Sequence, residues 1–410
     1  MSSRPDNVRG EQKKSTMSDA ERAEYTVKDR VAVAGIGETT YYRRGASPVS
    51  EFQLALEAIQ KAADDAGIAV QDIDGFASYA NDRNDPARLA NALGIKDLAW
   101  SNMFWGGGGG GCAGAVGNAS AAVSAGFAKY VVAYRGLAQG QFGRFGQSRS
   151  NGPLQGNAAY TAPYGLMTPA QQIAMRTRRF MEQHGATQDA LAAIALTSYA
   201  HAQRNPRAVM YGRPLTRRDY DESRWIAEPF HLFDCCQEND GAAAVIVTTS
   251  ERARDLKQKP AYVMGAAQGT DPRFSLVAQN AEQYASANFN NVARRLFAQA
   301  DIAPKDVDVA EVYENFTGGT LMSLAEHGFF APEESDEFCT EQNLSWDGGL
   351  LPLNTSGGNL AECYMHGLEL VLEAVRQVRG TSTAQVRNAE IALVAGGPVT
   401  APVSSIILHA

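Results

Sequence analysis

The sequence has 410 residues, 44% of them hydrophobic and 20% charged, with a formal net charge of −8. That length exceeds one ordinary core and points to two domains or one double-sized unit. The acidic balance argues against a nucleic-acid surface, and no uncharged apolar run reaches membrane-spanning length.

Residues 1–28 are polar, carry no signal-peptide-like apolar stretch and are expected to form a disordered tail. Val31 to Ile36 reads as a buried strand, and Phe52 to Ala66 as an amphipathic helix stopped by Gly67. A short loop with Asp72-Ile73-Asp74 leads into the strand Gly75 to Tyr79. A glycine run at Gly106–Gly111 then opens a helix that ends near Gly126, and the strand Tyr130 to Tyr134 follows. The stretch from about 137 to 241 breaks this rhythm with a Gly/Gln/Ser/Asn-rich loop and two helices, Pro169–His184 and Gln188–Arg204; it reads as a large insertion. Downstream the first landmarks return in the same order. Asp306-Val307-Asp308 leads into Val309 to Tyr313, Ser356-Gly357-Gly358 opens a helix through Val378, and Ile391 to Ala395 closes the series as a strand. Two landmarks recurring in one order indicate an internal repeat. The alternation implies parallel sheets covered by helices, and the two copies imply two similar sheets packed together. The expected division is a half at 29–258 that carries the insertion and a half at 259–410.

The five cysteines are odd in number and scattered, as reduced thiols of a cytoplasmic protein would be. Cys112 and the adjacent Cys235 and Cys236 read better as packing residues than as chemistry. The histidines lack ligand spacing, and no Cys-x-x-Cys occurs, so no metal is expected. The glycine run lacks a following Lys-Ser/Thr, which excludes a P-loop; it suits close backbone approach to a bulky ligand or an oxyanion.

Two such halves, each with a glycine turn before a buried helix, resemble the thiolase superfamily. The resemblance rests on Leu351-Pro352-Leu353-Asn354-Thr355-Ser356-Gly357-Gly358, on Val312-Tyr313-Glu314-Asn315-Phe316-Thr317, and on Ala361-Glu362-Cys363-Tyr364-Met365-His366-Gly367. The last run, with Glu373 to Gly380, looks like the lipid-transfer or sterol-carrier branch. The resemblance implies an α/β thiolase fold, five-layer αβαβα, from about residue 30 onward. It also marks departures. The position of the family's nucleophilic cysteine falls on Gly109, its Gly-His-Pro histidine on Tyr364, the first residue of its Asn-Glu-Ala-Phe or His-Asp-Cys-Phe motif on Tyr313, and its second cysteine near Val394. A site so changed cannot form an acyl-enzyme in the thiolase way.

This pattern resembles the steroid side-chain aldolase subunits that work with a small OB-fold partner of the DUF35 class. It implies retro-aldol cleavage of a steroid-type β-hydroxyacyl-CoA to a ketone and a short acyl-CoA. Such a reaction needs a base for the β-hydroxyl, a device that holds the enolate charge and an acid for the enolate carbon. No lysine lies in a candidate site motif, so a thioester enolate held by backbone N–H groups takes the place of a Schiff base or a metal. Tyr313 and Tyr364 are the proton-transfer candidates, and Glu314 is placed to orient Tyr313 or to share in the transfer. Gly109, Gly358, His366 and Gly396 are the expected substrate-binding positions, although His366, two residues from Tyr364 in a presumed helix, points elsewhere on helical spacing. The chain is expected to bind no cofactor of its own, with CoA present as part of the substrate. It is also expected to form a homodimer through the edge strand of the first half, a role the strand Tyr130 to Tyr134 fits. Two alternatives stay open: a Claisen-type CoA-dependent acyltransferase using Cys112 or an unusual nucleophile, and a non-enzymatic lipid or acyl-CoA carrier.

Overall fold

The computed structural model describes residues 27–106, 108–142, 155, 156, 158–274, 281 and 283–410. Strand β1 (Val31–Glu38) leads to helix α1 (Glu51–Ala66), which starts where the Ser50 hydroxyl accepts the Gln53 N–H and stops at left-handed Gly67. The apolar stripe of α1, including Leu54, Ala58, Ile59 and Ala62, packs on one face of the first half's sheet. Then come β2 (Gly75–Tyr79), β3 (Trp100–Phe104), α2 (Cys112–Ser124) and β4 (Val131–Ala138). The expected insertion holds α3 (Pro169–His184) and α4 (Gln188–Ala202), each opened by a threonine cap. After it run β5 (Asn239–Thr249), β6 (Ala261–Gly269), α5 (Asn290–Ala300), β7 (Val309–Val312), α6 (Thr317–Glu326), α7 (Leu368–Arg379), β8 (Ile391–Gly396) and β9 (Val403–His409).

The strands pair in the order β7-β8-β9-β6-β1-β5-β4-β2-β3, with the short strand Tyr42–Arg43 beside β5. The repeat is visible in this order. In the first half β2–β4 is parallel, and β4–β5 and β5–β1 are antiparallel; in the second, β7–β8 is parallel, and β8–β9 and β9–β6 are antiparallel. The expected parallel sheets are therefore mixed. Strand β9 follows β8 across a short turn, and a short connection returns the chain antiparallel, whereas a parallel return needs a crossover. The halves are also joined edge to edge, where Ala32 pairs with Tyr262 and Val33 with Ala261, and the Asp29 N–H donates to the Val263 carbonyl at 2.9 Å.

Helices α2 and α7 lie between the halves and touch strands of both, and one core cluster gathers Val116, Val245, Leu370, Val394 and Ile406 there. The Ala/Gly-rich sequence of α2 suits this place, because small side chains let two sheets approach one helix. Helix α1 covers the outer face of one half, and α5, through Val292 and Leu296, that of the other. The result is the α/β/α/β/α layering of the thiolase fold.

The repeated Asp-x-Asp has a physical role in both copies. The carboxylate of Asp74 accepts the N–H groups of Lys129 and Tyr130 at 2.9 Å, at the start of β4. The carboxylate of Asp308 accepts those of Glu390 and Ile391 at 2.9 Å, at the start of β8. Each aspartate thus docks the strand that lies beside its own.

Three expectations change. The strand Tyr130 to Tyr134 is no edge: β4 is paired by β2 on one side and β5 on the other, and the edge of the first half is β3. The expected tail, 1–28, lies outside the described residues except for its last two, and Lys28 is tied down by donating to the Ala300 carbonyl at 2.8 Å. The helix expected from Gly357 through Val378 is broken. A single π turn at Gly358–Glu362 gives way to extended Cys363, and α7 begins only at Leu368, after left-handed His366 and Gly367.

Candidate active site

That break carries the site. Tyr364 lies in the opened segment, and Tyr313 follows the last residue of β7, its N–H donating to the Ala395 carbonyl at 2.9 Å. Their hydroxyl oxygens lie 2.7 Å apart and are hydrogen-bonded. Both side chains are buried, at 1% and 7% exposure, so the pair is sealed from bulk water in this state. Burial, then the neighbouring Tyr364, pushes the Tyr313 phenol well above its ordinary value. Burial and nearby Cys236 do the same to Tyr364, against a hydrogen bond from Tyr313 that favours its ionised form. Both phenols therefore rest protonated at neutral pH.

Gly109 lies against this pair. A Cβ there would fall 1.9 Å from Cε2 of Tyr313, so the tyrosine ring fills the space that a side chain at position 109 would need. The thiolase nucleophile position and Tyr313 exclude one another here. Gly396 lies beside the same backbone, where a Cβ would sit 2.4 Å from Sγ of Cys112 and 2.8 Å from the Gly109 carbonyl oxygen. Cys112, the first residue of α2, is fully buried, and burial raises its thiol far above the usual range despite the helix N-terminus. It is a packing residue, which removes the basis of an acyltransferase built on it.

His366 does belong with the tyrosines. Its ring meets Tyr364 edge-on with centroids 5.1 Å apart. Helical spacing misplaced it because residues 363–367 are not helical. Burial, with Arg135 and Arg83 nearby, lowers its pKa well below the usual value and keeps the imidazole neutral. Tyr79, which sequence reasoning passed over, donates to the His366 carbonyl at 3.1 Å and so holds this segment. Beneath it, Arg135 pairs with Asp82 at 2.8 Å and donates to the Tyr79 carbonyl at 3.0 Å.

Glu314 faces the other way. Its carboxylate accepts from Ser198 Oγ at 2.7 Å, and among the described residues no hydrogen bond joins it to Tyr313. Consecutive residues leaving a strand point to opposite sides, which is why Glu314 does not orient its neighbour directly. Gly358 belongs to the Glu314 side: a Cβ there would lie 2.3 Å from Oε2 of Glu314, and its φ of 53° is left-handed. Burial lifts Glu314 to about 8, against the opposing hydrogen bond from Ser198.

Two further residues join the Glu314 and tyrosine sides. Asn359 accepts the Glu314 N–H at 2.8 Å and donates to Glu369, whose carboxylate also accepts the Met365 N–H at 3.0 Å. Burial lifts Glu369 to about 8 as well. From the other side Asn239 accepts the Tyr364 N–H at 3.0 Å. The only trace of this network in the sequence was its closeness to the Gly357-Gly358 turn. Among the described residues no group of three or more His, Cys, Asp or Glu is placed to hold a metal ion, and no helix is long and apolar enough to cross a membrane. Two surface cavities of about 560 Å³ are lined by other residues, including Arg43, Lys61 and Arg207 in one and Tyr164, Met175 and Arg179 in the other.

Fold and site together define a thiolase-fold protein whose nucleophile and imidazole positions hold glycine and phenols. Residues 271–409 match the family described as Thiolase C-terminal domain-like. Over 388 residues, 92% of this chain and 99% of the relative, the sequence is 41% identical to the 17-hydroxy-3-oxo-4-pregnene-20-carboxyl-CoA lyase of Mycobacterium tuberculosis. Over 386 residues, 92% of this chain and 97% of the relative, it is 40% identical to the steroid side-chain-cleaving aldolase of Thermomonospora curvata. Among solved structures, the Ltp2-ChsH2(DUF35) aldolase superposes with a TM-score of 0.87 at 39% identity, covering 94% of this chain and 99% of that one. The chain belongs to this family of thiolase-like steroid side-chain-cleaving aldolases.

Proposed function

We propose that this protein is a carbon–carbon lyase subunit that cleaves a steroid-type β-hydroxyacyl-CoA by a retro-aldol reaction, releasing a ketone and a short acyl-CoA. The observation that carries this reading is the hydrogen-bonded phenol pair, 2.7 Å between oxygens, packed against Gly109. The reaction must take a proton from the β-hydroxyl and return one to the α-carbon. One tyrosine oxygen accepts the hydroxyl proton as the Cα–Cβ bond breaks and its electrons pass into the thioester as an enolate. The hydrogen bond hands a proton to the second tyrosine, which delivers it to the α-carbon. Both phenols end as they began. A standing phenolate is costly in this buried place, and a relay through two neutral hydroxyls avoids one.

Gly109 and Gly396 present backbone close to the pair, where N–H groups would hold the enolate oxygen. His366, kept neutral, would line the same space, and Gly358 with Glu314 would shape its far wall. CoA takes part only as a portion of the substrate. The working assembly pairs this chain with a DUF35-type OB-fold protein, after the solved relative's composition. It also joins two copies of the chain through β3, in the cytoplasm. The two halves, 29–258 and 259–410, would each supply one wall: the first Gly109, the second both tyrosines.

The test is to co-express the chain with a DUF35 partner, add a steroid β-hydroxyacyl-CoA and follow products by mass. The wild type should release a ketone and a short acyl-CoA. Tyr364→Phe and Tyr313→Phe should each lower turnover by about 10²–10⁴-fold, the usual worth of one positioned proton-transfer group. A folded complex that binds the thioester and does not cleave it would replace this reading with the carrier one.

A further inference from the structure

We propose that Asn359 is the positioning residue that sets Tyr313 against Tyr364, its single amide tying the end of β7 to the segment that precedes α7. This rests on the retro-aldol reading above and adds the device that keeps its proton relay in register. The two tyrosines come from separate segments, and each needs a fixed backbone if their oxygens are to stay within hydrogen-bond reach. Asn359 Oδ1 accepts the N–H of Glu314, the residue next to Tyr313, at 2.8 Å. Its Nδ2 donates to Oε1 of Glu369, and the same Oε1 accepts the N–H of Met365, the residue next to Tyr364, at 3.0 Å. The Gln237 N–H in turn donates to the Asn359 carbonyl at 2.9 Å, which fixes the hub from a third direction.

An amide fits this place at any pH, because it carries one acceptor and a donor that needs no added proton. The Glu314 backbone N–H can only donate, so the oxygen must face it and the NH₂ must face Glu369. Ionised aspartate has no donor for Glu369 and gains one only when protonated, and leucine lacks both functions. Asn359 is fully buried, as are Glu314 and Glu369, so water cannot stand in for a lost partner. The groups facing Glu369 are Glu362, Tyr79, Cys112, Cys236, Cys363 and the two phenols, each neutral or acidic. A second carboxylate at position 359 would therefore be tolerated only while it shares a proton with Glu369.

The experiment uses the full chain in complex with its DUF35-type partner and the cleavage assay above. Asn359→Leu should lower kcat by about 10²-fold with KM within about threefold, as expected for a misplaced relay rather than weakened binding. Asn359→Asp should stay near wild type at about pH 6 and lose activity at least about tenfold by about pH 9, beyond any fall in the wild type. Adding Glu369→Gln restores a donor toward the aspartate and keeps the acceptor for Met365, and should bring the Asn359→Asp enzyme back to within about threefold at high pH. Asn359→Leu with wild-type kcat would overturn the proposal, as would equal high-pH loss in the Asn359→Asp single and double variants. A crystal structure of Asn359→Leu with the phenol oxygens still in hydrogen-bond contact would overturn it independently of activity. Tyr313→Phe and Tyr364→Phe run alongside. If they abolish cleavage while Asn359→Leu does not, only the positioning role falls; if they keep cleavage, the tyrosine reading falls and the positioning role with it.

Discussion

At Gly109 the exchange of a nucleophile for a proton relay is a matter of volume. The Tyr313 ring stands where a side chain at 109 would project, so glycine at one position and tyrosine at the other require each other. Gly109→Ala should push the ring out of contact with Tyr364. Cleavage should then fall by about 10²-fold, the scale of a 1 Å misplacement, with a stability loss of about 1–3 kcal/mol from overpacking. Turnover and thermal unfolding of this variant check both numbers. Unchanged turnover would mean that the ring's position does not matter to catalysis. The glycine and the two tyrosines were legible from their register against the motifs of the thiolase family that the sequence resembles. The direction of Glu314 was not, since a side chain's facing at the end of a strand depends on what packs around it, here Ser198 from α4.

Among the elements, two behave differently from their sequence pattern. Every residue of strand β4 is buried, and all but Arg135, which pairs with Asp82, are apolar or aromatic. That marks a central strand; the edge role was carried over from the resembled family, and nothing in one sequence says which neighbours a strand has. The edge strand β3 exposes Ser101, Asn102 and Met103, and Trp105 just beyond it is 88% exposed. An open edge next to a bare indole invites strand pairing. If two copies meet there, Met103→Pro should convert the dimer to a monomer in light scattering, because proline removes a ladder donor, while leaving the buried core intact. A dimer that survives this change places the contact elsewhere. The second element is the helix expected through Val378. Its opening at 363–367 turns Tyr364 and His366 inward, and the left-handed His366 and Gly367 that permit it left no clear periodicity to read.

For the whole molecule, buried carboxyls set the pH response. Burial holds Glu314 and Glu369 at about 8, and Glu326 and Glu362 at about 7. In the unfolded chain they ionise near the ordinary carboxylate value. Between that value and about pH 8 the folded state therefore binds more protons, and its stability falls as pH rises through this window. The melting temperature should drop on going from about pH 6 to about pH 9, and Glu369→Gln, which needs no proton to stay neutral, should flatten the fall. An equal slope in that variant would mean that Glu369 is ionised in the folded protein.

By itself the sequence determined the repeat and the α/β class, and its resemblance to thiolases marked Gly109, Tyr313 and Tyr364 as departures at that family's nucleophile and imidazole positions. The repeat and the class are properties of order and spacing, and local chemistry such as a strand, a glycine stop or an Asp-x-Asp loop is written in contiguous residues. Tertiary structure alone decided that the phenols touch, that His366 joins them, that Cys112 is sealed away, and that Asn359 and Glu369 bind the two tyrosine-bearing segments. Each of these is a contact between residues distant in the chain or a consequence of lost water. Neither the closure of two sheets around α2 and α7 nor the desolvation it brings can be read along a single strand of sequence.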